Sequence, residues 1–126
     1  MPRQLSRQRS SYQIGMVAEY LCILRLWLTG WRILAWRYKQ PMGEVDIIAR
    51  RGEVIAFIEV KARESRQKAL EAVSMTQKKR IEKSASHWLS RNLKYAGFCP
   101  RFDIMWVTKW PWPQREAHAW EVRETY

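Results

Sequence analysis

Apolar residues recur at Ile14, Val17, Ala18, Leu21, Leu24 and Leu28, the spacing of one helix face. Ser10 and Gln13 precede this run as an S-x-x-Q capping box, and Gly30 follows it as a stop. Between Tyr12 and Trp31 only Glu19 and Arg25 carry charge. A helix apolar on nearly every side is one covered on more than one side. The expectation is therefore a first helix lying between a sheet and a second subunit.

The pattern then changes to the period of strands. Residues 31–39, 44–50 and 53–61 read as three strands, the first two joined by a turn at 41–43. Arg51-Gly52 makes the last two a hairpin. Residues 63–70, of mixed charge, read as a loop. Ser74 and Gln77 repeat the S-x-x-Q cap, and Ile81, Ala85, Trp88 and Leu89 mark the inner face of a second long helix. Residues 101–109 read as a fourth strand, 110–114 as a rigid turn carrying Pro111 and Pro113, and 118–124 as a last strand. The order is helix, three strands, helix, two strands. This predicts a single α/β domain over residues 11–126, a mixed sheet flanked by helices, behind a flexible basic tail at residues 1–10.

Charge narrows the class of partner. The 126 residues hold 23 Lys and Arg against 12 Asp and Glu, a formal net charge of +11. That is the footprint of a protein that meets phosphates, although a membrane surface or an acidic protein attracts the same charge. The apolar segment 20–28 is interrupted by Arg25 and is too short to span a bilayer. No apolar region follows the basic N-terminus in the manner of a secretory signal. Cys22 and Cys99 have no metal-site or CxxC spacing, so free thiols in a reducing, cytoplasmic setting are expected.

The chemistry concentrates between Gly43 and Lys61. On the third strand Ile55, Phe57, Glu59 and Lys61 share one face, and Val54, Ala56, Ile58 and Val60 the other. Burying an unpaired charge is costly, so Glu59 and Lys61 must pair, reach water or hold a metal. Asp46 interrupts the apolar run of the second strand. A hairpin turning at Arg51-Gly52 brings Asp46 towards Glu59 on one face. Two such carboxylates form an oxygen-rich site suited to Mg²⁺ or Mn²⁺.

GEVDIIAR followed by AFIEVKAR resembles the PD-(D/E)XK nuclease signature, an Asp on one strand and E-x-K on the next. The wider set resembles the bacterial YraN family of endonuclease-like proteins: Ala18-Glu19-Tyr20-Leu21, Ile33-Leu34, Gly43 to Ala49, Phe57 to Arg63, Ala72-Val73, Lys78 to Ile81 and Arg101-Phe102-Asp103. It covers about residues 12–107. That family is similar to archaeal Holliday-junction resolvases, which share a Glu in the first helix, the Asp and E-x-K, and to the tRNA-endonuclease-like fold. The chain departs from the pattern in having no glycine in the loop after Arg63 and in carrying Trp36-Arg37 where Arg-Asn is expected.

The resemblance implies a restriction-endonuclease-like fold and a metal-dependent phosphodiesterase site acting on structured or branched DNA. Asp46 and Glu59 would bind the metal, Lys61 would orient water or add positive charge, and Glu19 would add a further metal or water ligand. Gln77, on the inner face of the second helix, would orient water or Lys61. Each has a plainer reading: Glu59 with Lys61 as a strand-end ion pair, Asp46 paired with Arg37, Glu19 solvated, Gln77 as the capping residue. Lys78, Lys79, Arg80 and Lys83 open the second helix, where cations oppose the helix dipole and a phosphate partner would relieve the conflict; an ordinary solvated basic face is the alternative. Asp103 reads as the ion-pair partner of Arg101. Trp110 and Trp112 offer rings for base stacking or, more simply, for packing. A non-catalytic nucleic-acid-binding module or a protein-recruiting scaffold are the competing functions, and a homodimer through the first helix is the expected assembly.

Overall fold

The computed structural model describes residues 2–108 and 112–122, with side chains from residue 14 onward. Helix α1 (Pro2–Leu28) is followed by strands β1 (Arg32–Gln40), β2 (Gly43–Arg51) and β3 (Val54–Ala62). Helices α2 (Arg66–Glu71) and α3 (Met75–Arg91) and a 3-10 turn at Leu93–Tyr95 lead to β4 (Cys99–Val107) and β5 (Gln114–Trp120). The five strands form one sheet in chain order. The pairs β1–β2, β2–β3 and β4–β5 are antiparallel and β3–β4 is parallel. The parallel pair needs a crossover, and α2 and α3 supply it.

Helices lie on both faces of the sheet. Cys22 and Leu26 of α1 pack with Trp31, Ile47, Ala49, Ala56, Ile58 and Met105 on one face. Ile81, Ala85 and Trp88 of α3, spaced as one helical stripe, pack with Val45, Ile48, Ile55, Phe57 and Ile104 on the other. The alternation of β3 thus serves two cores, as a strand covered on both faces must. This is the α/β, restriction-endonuclease-like arrangement that the resemblance implied.

α1 ends in a Schellman motif. Gly30 adopts φ 90°, its N–H bonds to Trp27 O, and the Trp31 N–H bonds back to Leu26 O at 2.9 Å. Leu26 and Trp31 then meet in the same core. Ser74 caps α3 by accepting the Gln77 N–H at 3.1 Å, as the S-x-x-Q pattern predicts. Gly43 is fixed by a close approach: a Cβ there would lie 2.5 Å from the Arg80 carbonyl oxygen. Only a glycine lets β2 run so close under α3.

Several boundaries differ from the sequence reading. The hairpin expected to turn at Arg51-Gly52 turns at Gly52-Glu53, because Arg51 still pairs with Val54. The helix starts at Pro2 rather than at Ser10 and takes in the segment expected as a tail; residues 3–13 hold neither Pro nor Gly to stop it. Residues expected as a loop form α2, capped by Ser65, whose side chain accepts the Lys68 N–H. The last strand is Gln114–Trp120 rather than 118–124. It begins directly after Pro113, and its pairing with β4 shifts register between Phe102 and Ile104. Residues 109–111 and 123–126, which include Trp110 and Glu124, lie outside the described residues. Trp112 is exposed. Among the described residues no helix is long and apolar enough to cross a membrane.

Candidate active site

The carboxylates predicted to approach do meet. β2 and β3 pair as far as Ile47 and Ile58, and the next position along each strand carries Asp46 and Glu59. Here the ladder is interrupted. The Val60 N–H donates to Asp46 Oδ2 at 2.8 Å, so a side chain takes the place of a backbone acceptor. Val45, which strict alternation from Ile48 would send to the α1 face, packs into the α3 core with it. The irregularity sets the Asp46 carboxyl beside that of Glu59.

Glu59 is 5% exposed and lies beside Asp46 across the strand pair. Burial, then the Asp46 carboxyl, push its pKa from 4.5 to about 10, against the pull of Lys61. Lys61 Nζ stands 3.9 Å from Glu59 Oε1 and donates to Gln77 Oε1 at 3.4 Å. Asp46, Glu59, Lys61 and Gln77 therefore form one contiguous group, drawn from two strands and the first turn of α3. Gln77 holds both readings at once: its N–H completes the cap and its side chain holds the lysine.

Of this group Asp46 also lines a cleft of about 180 Å³, together with Glu19, Arg37, Lys39, Glu44 and Val45. Glu19 is tied to Arg37, with Nη2 2.9 Å from its Oε2. Arg37 is the cation that the sequence reading offered to Asp46. It sits at φ 56° within β1, a conformation uncommon outside glycine, and its guanidinium also contacts the Met16 sulfur. Glu19 thus neighbours Asp46 through a shared cleft while its charge is directed to Arg37.

A divalent cation fits the pair rather than a larger cage. Among the described residues no three His, Cys, Asp or Glu side chains converge. Two adjacent carboxylates, one of them protonated by burial and repulsion, are nevertheless the donor set that a hard cation relieves. Mg²⁺ in particular uses one or two protein carboxylates and keeps waters for the remainder.

Of the basic residues, Lys79, Arg80 and Lys83 are exposed on α3 and Lys78 is half-buried, its ammonium 5.6 Å from the centre of the Trp120 ring. They continue from Gln77 along the helix. His87 contacts the Tyr38 hydroxyl and His118 pairs with Glu121; neither approaches the carboxylates. Asp103 is structural, as read. It is buried, takes two bonds from Arg101 at 2.9 and 2.8 Å, and accepts the His118 N–H at 2.9 Å.

Residues 18–107 match the model of uncharacterised protein family UPF0102. A UPF0102 protein of Chelativorans sp. (strain BNC1) is 45% identical over 120 residues, 95% of this chain and 96% of the relative. One from Mesorhizobium japonicum is 44% identical over 118 residues, 94% of each chain. One from Parvibaculum lavamentivorans is 40% identical over 111 residues, 88% of this chain and 84% of the relative.

Proposed function

The chain belongs to the UPF0102 (YraN) family, and from the site that its fold carries we propose a divalent-metal-dependent endonuclease that cleaves phosphodiester bonds in structured or branched DNA. The observation that carries this reading is the buried Asp46–Glu59 pair with Lys61 at its side. A fold with no chemistry to perform has little reason to put two carboxyls side by side at the end of a core strand, where repulsion and desolvation both oppose them.

Asp46 and Glu59 would hold the cation. Such an ion, when bound, lowers the pKa of a water and offsets charge on phosphate oxygens. Lys61 adds a fixed positive charge beside the pair, where it orients a water or stands against a phosphate oxygen as negative charge develops. Gln77 limits the rotamers of Lys61, so that the ammonium is positioned before substrate arrives. Glu19, held by Arg37, contributes charge to the cleft wall. Exposed Lys79, Arg80 and Lys83, together with the net charge of +11, supply the attraction to a phosphate backbone. The preference for branched DNA rests on the similarity to resolvases.

The test is cleavage of linear, single-stranded, flapped and four-way-junction DNA and of structured RNA with Mg²⁺ or Mn²⁺. A Glu59→Ala, Lys61→Ala double variant runs beside the native protein. Cleavage by the native protein that the variant lacks supports the proposal and names the substrate. No cleavage of any substrate, with salt-sensitive binding kept by the variant, overturns it in favour of a binding module.

A further inference from the structure

Away from the carboxylates, arginines from three strands gather at one buried indole, and a fourth, from α1, stands near enough to act on Arg115. Arg51 of β2, Arg101 of β4 and Arg115 of β5 hold their guanidinium carbons 4.8, 5.4 and 5.5 Å from the centre of the Trp31 ring. Arg25, in the last turn of α1, donates to the Pro113 carbonyl oxygen just ahead of β5. This group lies on the α1 side of the sheet, since Trp31 belongs to that core and Arg101 alternates with Phe102 of the other.

The cations outnumber the groups that neutralise them. Among the described residues Asp103 is the one carboxylate in contact, and Arg101 and the His118 N–H already engage it. Arg51 donates to the Thr29 carbonyl oxygen. Arg115, half-buried, has no hydrogen-bond acceptor among the described residues. Burial lowers its pKa, Asp103 draws it back up, and Arg101, Arg25 and Arg51 lower it further. The Trp31 Nε1, on a residue 2% exposed, also lacks an acceptor. A lid of cations over a core tryptophan explains the stacking. It does not explain a half-buried guanidinium and a buried indole N–H that both lack an oxygen, since buried donors are almost always paired.

We propose that Arg25, Arg51, Arg101 and Arg115 around Trp31 form an anion site that takes a phosphate group. Planar guanidinium forks match phosphate oxygens in pairs, and a doubly charged oxyanion offsets the repulsion among the four. The site is separate from the carboxylates, because Asp46 and Arg51 lie about 17 Å apart along β2 at about 3.4 Å per residue. It stands whether or not the carboxylates cleave anything. The same phosphate chemistry arises from a nucleic-acid backbone or from a small phosphorylated molecule.

The experiment follows the Trp31 indole N–H resonance of the full ¹⁵N-labelled chain, assigned with Trp31→Phe. Sodium phosphate is titrated against sodium chloride at equal ionic strength. The expected result is a saturable shift with phosphate alone. Arg115→Gln weakens the apparent affinity about tenfold, while the charge-matched Lys68→Gln on α2 leaves it unchanged. Equal shifts with both salts, or an unchanged affinity in folded Arg115→Gln, overturn the proposal. Should Arg115→Gln fail to fold, the comparison of phosphate with chloride on the native chain decides alone. A DNA oligonucleotide that displaces phosphate from Trp31 identifies the backbone as the source; one that leaves the phosphate shift intact identifies a small phosphorylated ligand. Either keeps the site.

Discussion

Lys61 Nζ stands 3.4 Å from Gln77 Oε1, so the first turn of α3 steers a side chain that the end of β3 supplies. Gln77→Ala is expected to lower kcat for DNA cleavage by about 10–100-fold with little change in KM, because the lysine remains but is no longer held. Ser74→Ala separates this effect from the cap. It removes the Ser74–Gln77 N–H bond, costs about 1 kcal/mol of stability and leaves kcat in place. Steady-state cleavage and urea denaturation of the two variants check the separation, and equal losses of kcat in both would refute it.

The Glu59 carboxyl carries a pH signature. In the unfolded chain it loses its proton near pH 4.5, in the folded chain near 10. Its contribution to stability is full below about pH 4.5 and is lost as pH rises towards the folded value. In a chelator-containing buffer the native protein should therefore melt at falling temperature across this window, and Glu59→Gln should flatten the fall and melt higher at pH 8. Mg²⁺ should raise the native melting temperature at pH 8 and leave the variant unmoved. Parallel melting curves for the two proteins, with and without Mg²⁺, would count against this reading of the site.

Asp103 holds β4 to β5 where their register shifts. Its removal strands Arg101 and leaves the His118 N–H without an acceptor. Asp103→Ala is expected to cost about 3–5 kcal/mol, measured by urea denaturation. A loss under 1 kcal/mol would mean that solvent repairs the gap.

The outer face of α1 predicts self-association. Ile14, Val17, Tyr20, Leu24, Trp27 and Leu28 are exposed along it, Trp27 by 68%, and recur at three- and four-residue steps as a docking stripe does. We expect a dimeric mass by light scattering at micromolar concentration and a monomeric mass, with unchanged circular dichroism, for Trp27→Glu. A native monomer would contradict the assembly expected from the sequence.

Much of the fold was legible because the strands obey simple alternation. β2 and β3 show where Ile47, Ile48, Phe57 and Ile58 must point, but the hairpin turns at Gly52-Glu53, with Arg51 paired to Val54, rather than at Arg51-Gly52. Alternation alone puts Asp46 and Glu59 on one face, and the observed register makes them cross-strand neighbours where an Arg51-Gly52 turn would have set Asp46 opposite Phe57. The Asp46–Val60 bond was not legible, since nothing in an alternating pattern announces where a ladder breaks. Glu19 was placed near the site by resemblance, but its tie to Arg37 depends on a positive φ within a strand, which no residue type there signals. α2 was missed because six residues of mixed charge bury only Ala69 and leave almost no periodic trace. The arginines around Trp31 escaped for a different reason. They come from α1, β2, β4 and β5 and meet only once the sheet exists; the one hint in the sequence was an excess of arginine with no run to house it.

Asp46 is a splice as well as an acid, since its Oδ2 carries the Val60 N–H across a gap between two central strands. The two duties differ in what they demand. Cleavage would need Asp46, Glu59 and Lys61 together, whereas the joint needs Asp46 by itself. Under the proposed activity, a relative without cleavage would be free to lose the glutamate and the lysine, and its folded state would still hold on to the aspartate. The aspartate is thus a poor witness to activity in any relative, and a loss of cleavage in an Asp46 variant would leave open whether chemistry or architecture had failed. Glu59 and Lys61, which the strand joint does not use, are the positions at which a cleaving relative and an inert one would part.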